Sequence, residues 1–236
     1  MRVLVVGGSG YLGGMVLPAL SQKHTLRIFD LRPPADTDWD YVAGNVDDLA
    51  ALSRASLGMD ALLYMAMGAK AFETPEAITT NFDVNVKGVY LALYAAHQAG
   101  IMHAVYTSSM SVYGGDLMTR PFPDEEITPD ASDLYGLTKR MGEEVCRNAT
   151  RAWGITINVL RLCFPTPDDR WRAETRWGVP TLATTASDVA HALLAALRYR
   201  GGFQAFMISG DYEQRILNMS KAKRYLNWEP VVRPLD

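Results

Sequence analysis

The run Val3-Leu4-Val5-Val6-Gly7-Gly8-Ser9-Gly10-Tyr11-Leu12-Gly13 decides the fold. Four consecutive apolar residues, three of them valines, predict a short strand covered on both faces. Glycine ends that strand at residue 7, and the period beyond it predicts a helix over 11–22. A second strand is predicted over 26–30 and ends on an acid, Asp30, seventeen residues after Gly13. Strand, glycine turn, helix and acid-ended strand follow one another in the order of a dinucleotide-binding unit. In that order Gly7 permits the tight turn, Gly10 lets the main chain approach a pyrophosphate, and Gly13 lets the helix pack closely. The pyrophosphate would rest on the helix's first amides, at Tyr11 and Leu12. Three glycines alone are equally well a bare turn; the flanking elements argue against that.

Asp30 can accept hydrogen bonds from the adenosine ribose hydroxyls and repels a 2'-phosphate, which favours NAD over NADP. Arg32 works the other way, since a guanidinium there can pair with a 2'-phosphate. Asn45 and Val46 follow a third predicted strand where an adenine edge can be read. A turn-forming asparagine explains the same residues.

Outward from this unit, strands are predicted over 41–43, 61–65, 104–108, 155–161 and 205–209. Helices are predicted over 47–56, 81–99, 133–152 and 187–198, with a weaker one over 220–226. The alternation indicates an α/β class: a Rossmann-type, doubly wound parallel sheet, here with a small, reduced C-terminal substrate lobe. At 236 residues the chain suits one domain, 1–236, rather than two. Its substrate-contacting segments are expected at about 162–186 and 205–236.

The balance of 23 Lys and Arg against 26 Asp and Glu leaves a net charge of -3, which provides no overall field for nucleic acid or an anionic membrane. No apolar run reaches membrane-spanning length. Cys146 and Cys163 make neither a disulfide framework nor a metal-ligand spacing, so a reducing cytoplasm is the expected setting. The four histidines are scattered singly, and no metal is expected.

Tyr135 and Lys139, in the run Asp133-Leu134-Tyr135-Gly136-Leu137-Thr138-Lys139, are four apart and share one helix face. An ammonium one turn away, aided by an oxidised nicotinamide, would lower the phenol's ordinary value near 10 towards neutral pH. Such a pair is common by chance and gains meaning only from its company. Upstream, Val105-Tyr106-Thr107-Ser108-Ser109 leads into Met110-Ser111-Val112-Tyr113-Gly114.

With the glycine loop and Asp30, these stretches resemble the extended short-chain dehydrogenase/reductases, the NAD-dependent epimerase/dehydratase family. The resemblance runs through Asn81-Phe82-Asp83-Val84-Asn85-Val86-Lys87-Gly88, Ala186-Ser187-Asp188-Val189-Ala190 and the closing Lys221-Ala222-Lys223-Arg224-Tyr225-Leu226-Asn227-Trp228-Glu229-Pro230. It implies that Tyr135 is the general acid/base, that Lys139 lowers its pKa and binds the nicotinamide ribose, and that Ser109 hydrogen-bonds the reacting oxygen. Met65 and Ala66 would wall the cofactor near its ribose. The implied reaction is hydride transfer between a substrate hydroxyl and the nicotinamide.

Only about twenty residues separate Leu162-Cys163-Phe164-Pro165-Thr166-Pro167 from Ser187-Asp188. That is little chain to enclose a nucleoside diphosphate as well as a sugar, so a compact sugar or sugar acid is expected. This short lobe, with Arg172 five residues before Trp177, resembles the uronate dehydrogenases, in which Arg172 would clamp a substrate carboxylate. Where those enzymes carry Asn and His after the serine, this chain has Met110 and Ser111, so a different polar pattern meets the substrate. For Arg170, Arg172 and Arg176, a solvated basic loop is the alternative. The resemblance also implies a homodimer through helices 81–99 and 133–152, whose Val84, Val89, Leu91 and Tyr94 otherwise serve the monomer core. Two other functions compete with a dehydrogenase: a nucleotide-sugar epimerase or dehydratase with tightly held NAD, and a cofactor sensor without catalysis.

Overall fold

Seven parallel strands form the central sheet: β1 (Arg2–Val6), β2 (Thr25–Asp30), β3 (Asp40–Ala43), β4 (Ala61–Tyr64), β5 (His103–Ser109), β6 (Thr156–Leu162) and β7 (Phe203–Ile208). The computed structural model describes residues 1–236 except 37, 70–73, 123, 177–180 and 235–236. All seven predicted strands are present, with ends displaced by at most two residues. The spatial order is β3-β2-β1-β4-β5-β6-β7, so successive strands run outward from β1 first to one side and then to the other. The direction reverses between β1 and β4, and ligands bind at the carboxyl ends of strands at such a point.

Side-chain alternation divides the core into two layers. Val3 and Val5 of β1 face the layer holding Val16, Leu17 and Leu20 of α1 (Tyr11–Ser21) and Val189 and Leu193 of α7 (Ala186–Ala196). Leu4 and Val6 face the other layer. There Leu52 of α2 (Leu49–Ser56), Val89 and Leu93 of α4 (Val89–Gln98) and Cys146 of α5 (Leu134–Trp153) cover the sheet. Rossmann-type doubly wound architecture follows directly from strands buried on both faces.

Two segments differ from the sequence reading. The helix expected from residue 81 starts at Pro75, as α3 (Pro75–Phe82), where the Thr74 hydroxyl accepts from Ala77 N at 3.2 Å. Between α3 and α4 the chain widens into a π-helical turn, Asp83–Gly88. The Tyr64 hydroxyl, reaching up from β4, donates to Val84 O there at 2.6 Å, taking a carbonyl from the ordinary helical ladder. The segment after β6, over which no element is predicted, also holds structure: α6 (Asp168–Glu174), and a small parallel pair of Pro165–Thr166 with Thr184–Thr185.

The closing segment is fastened to α7 through Asp188. Its carboxylate accepts from Val231 N and Val232 N, and its carbonyl accepts from Trp228 Nε1 at 2.9 Å. Two stretches that the sequence marks separately, around Ser187 and around Trp228, thus form one structural unit. Among the described residues, no helix is long and apolar enough to cross a membrane.

Candidate active site

A cleft of about 720 Å³ opens at the carboxyl ends of the strands, within the range of small-molecule sites. Gly7, Gly10, Tyr11 and Leu12 line it where β1 turns into α1. Gly7 sits at φ +84°, and a Cβ there would lie 2.3 Å from Ala66 Cα, so only glycine fits the turn. Gly10 meets nothing closer than Gly7 O at 3.4 Å, leaving its surface open to the cleft. Gly13 lies outside the lining and packs against the loop rather than the sheet: a Cβ would fall 1.8 Å from Gly8 O. At Gly10, α1 begins with no side-chain cap, whereas Asp48, Asp133 and Thr185 cap α2, α5 and α7. Uncapped first-turn amides beside an open glycine surface suit a pyrophosphate.

At one end of the cleft stand Asp30, Arg32, Asn45 and Val46. Ser9 N donates to Asp30 Oδ2 at 3.0 Å and Arg32 N to Oδ1 at 3.2 Å, which holds the carboxylate at the lip of β2. Met65 and Ala66 wall the middle.

The other end gathers Ser109, Met110, Ser111, Tyr135 and Lys139. Ser109 closes β5, and its hydroxyl accepts from Ser111 N at 3.0 Å while donating to Ser111 Oγ at 3.1 Å. A side-chain hydrogen bond joins Ser109 to the Tyr135 phenol. The Lys139 ammonium lies 5.9 Å from the centre of the Tyr135 ring and donates to Thr107 O at 3.0 Å. The three groups expected to act together therefore converge on one cleft. Burial raises the phenol above its ordinary value, the Ser109 bond lowers it and Asp133 raises it again, leaving a net upward shift. Burial also lowers Lys139 to about 8, against an opposing push from Cys146 and Glu143. The lysine alone does not bring the phenol towards neutrality.

Arg172 sits half-buried on α6, outside the residues that line the cleft. Trp177 lies outside the described residues.

Sequence reasoning missed the groups beneath the site. Glu143 continues the Tyr135–Lys139 face of α5 by one more turn, and it is 2% exposed. Its carboxylate accepts from Ser108 Oγ at 2.6 Å, from Arg161 Nε at 3.0 Å and from Arg161 Nη2 at 2.8 Å. The available signal was Arg161 itself, a charge within an apolar strand, since such charges are almost never buried unpaired. Asn85, on the π-helical turn, donates to Thr138 Oγ1 at 3.0 Å and accepts from Gly68 N at 3.2 Å, tying α5 to the loop after β4.

Fold and site together have the architecture of the short-chain dehydrogenase/reductases. The chain belongs to the NAD dependent epimerase/dehydratase family, whose model matches residues 3–166. It is 35% identical over 153 residues to a 3-beta-hydroxysteroid dehydrogenase of Mycolicibacterium neoaurum, an alignment covering 61% of this chain and 42% of that protein. The chain spans about half or less of the length of the curated relatives it matches. In three dimensions it is similar to DesIV, a dTDP-glucose 4,6-dehydratase from Streptomyces venezuelae with NAD and TYD bound. The TM-score is 0.83 at 18% identity, covering 99% of this chain and 93% of that one. A mutated uronate dehydrogenase gives a TM-score of 0.80 at 21% identity, covering 98% and 82%.

Proposed function

We propose that the chain binds NAD in the cleft and transfers a hydride between a hydroxyl-bearing, sugar-like small molecule and the nicotinamide. The observation that carries this reading is that Ser109, Tyr135 and Lys139 line the same cleft as the glycine loop and Asp30. The oxidised nicotinamide would supply the hydride acceptor, which no side chain offers, and a positive charge further to that of Lys139. Tyr135 takes the proton of the reacting hydroxyl as its carbon is oxidised, and returns it in the reverse direction. Ser109 holds that oxygen by a hydrogen bond. Lys139, anchored to Thr107 O, keeps a positive charge beside the phenol and binds the nicotinamide ribose. At the far end Asp30 favours the unphosphorylated ribose and hence NAD over NADP.

A sugar-acid substrate would give Arg172 the carboxylate; the proposed proton chemistry does not depend on that contact. We place the homodimer of this reading on α4 and α5 with their flanking turns. Exposed Phe82, Tyr90 and Met141 support it, while Val89 is taken up by the monomer core.

The test follows NADH absorbance across aldoses, uronates and nucleotide sugars. With an accepted substrate, Tyr135→Phe is expected to lose about 10²–10⁴-fold in kcat while binding NAD unchanged. Full activity in that variant would refute the assignment. Interconversion of a nucleotide sugar without net NADH would identify an epimerase instead, and failure of every substrate with intact NAD binding would favour a sensor.

A further inference from the structure

We infer that Arg161 and Glu143 are positioning residues for the proposed hydride transfer, fixing Ser109 against Tyr135 and holding the segment that starts at Tyr113 over the reacting end of the cleft. The inference rests on the oxidoreductase reading for its catalytic consequence, though not for its geometry.

The register sets up the arrangement. Arg161 of β6 pairs with Ser108 of β5, so both side chains leave the sheet on the same side. Glu143 comes onto them from α5 and binds both, accepting two bonds from the guanidinium and one from the serine hydroxyl. Ser108 immediately precedes Ser109, and Glu143 lies one helical turn beyond Lys139 and two beyond Tyr135. One carboxylate therefore ties the strand that carries the serine to the helix that carries the tyrosine and lysine.

The remaining guanidinium nitrogen reaches the other way. Arg161 Nη1 donates to the Tyr113 hydroxyl at 2.5 Å and to Glu125 O at 3.2 Å. Tyr113 lines a second cavity, about 750 Å³, which shares Ser111, Leu117, Tyr135 and Phe164 with the cleft. The guanidinium thus joins β6, α5 and both ends of the 113–125 segment at one point.

The network is dry: Arg161 and Glu143 are each 2% exposed, Tyr113 3% and Ser108 4%. A buried ion pair adds little stability over apolar residues of similar volume. It does add direction, since the bidentate fork and two further bonds fix angles that apolar contacts leave loose. Shape alone is served equally well by an apolar pair, so the charged one is explained by orientation.

The experiment compares the parent chain with the double variant Arg161→Met/Glu143→Met and with Ser108→Ala, which removes a single bond. Crystal structures with NAD, the NADH dissociation constant by fluorescence, and kcat and KM on an accepted substrate are measured for each. The double variant is expected to fold, to lose the Ser109 bond to Tyr135, and to fall in kcat by roughly 10–100-fold with NADH binding unchanged. Ser108→Ala is expected to fall in the same direction by a smaller factor. An intact Ser109 bond to Tyr135 with unchanged kcat would overturn the inference. So would a matching loss in NADH binding, which marks general damage. If the double variant does not fold, Ser108→Ala decides, and parental geometry in that variant reduces the pair to a structural one. If the parent transfers no hydride to any substrate, the oxidoreductase reading fails while the crystal structures still judge the positioning.

Discussion

Lys139 should cost the fold stability for as long as it is charged. It is 2% exposed, and burial lowers its ammonium to about 8 from an ordinary 10.5. That gap corresponds to roughly 3 kcal/mol of unfavourable charge burial at neutral pH. Lys139→Met removes the charge and keeps most of the stem, but forfeits the bond to Thr107 O, worth roughly 1.5 kcal/mol. The variant is therefore expected to be about 1–2 kcal/mol more stable than the parent at pH 7 while losing activity. The pH dependence isolates the cause. The folded lysine releases its proton near pH 8 and the unfolded one near 10.5, so between those values the unfolded chain binds more protons and the parent gains stability as pH rises. The variant's advantage should shrink by about 2 kcal/mol between pH 7 and about pH 9.5. Urea unfolding of both proteins at the two pH values, followed by circular dichroism, measures this directly. A stability difference that stays constant across the window would show that no buried ammonium titrates there, and the reasoning would fall.

Other substitutions probe the rest of the site. Gly7→Ala drives a methyl to 2.3 Å from the Ala66 backbone at a positive φ, and a loss of roughly 2 kcal/mol or more is expected, together with weakened NAD binding, by thermal melting and cofactor titration. Asp30→Ala leaves Arg32 at the ribose end; the NAD to NADP preference, read from the two dissociation constants, should move towards NADP by about tenfold or more. Arg161→Met alone strands the Glu143 carboxylate and should destabilise by roughly 3–5 kcal/mol in urea, whereas the paired Met variant should recover most of that loss.

The parts of the site written in short stretches could be read before the structure, and those built across the sheet could not. Gly7, Gly10 and Asp30 announce themselves because a turn and two strand ends hold them within one unit. Tyr135 and Lys139 are visible because a helix makes residues four apart into neighbours. Glu143 obeys the same period, yet its significance appears only with Arg161, eighteen residues away and on another element. The segment expected to contact substrate at about 162–186 carries no predicted helix, although α6 starts immediately after Pro167 with Asp168 and Asp169 in its first turn, a start signal written in adjacent residues.

The placement of charge under the cleft has a further consequence for how this fold supports chemistry. Its two apolar layers, Val3 and Val5 on one side and Leu4 and Val6 on the other, would hold the sheet together without a single buried ion. The buried Lys139, Glu143 and Arg161 gather instead around the last residues of β5 and β6 and the first three turns of α5. Each is tied to a neighbour that lines the cleft or the cavity beside it: Lys139 to Thr107 O and Glu143 to Ser108 in the cleft, and Arg161 to Tyr113 in the second cavity. Of the three, Lys139 is the one with no carboxylate partner among the described residues, so apolar replacement should stabilise there, where it also harms function, and a search for stabilising substitutions should return Lys139 before any residue of the outer strands.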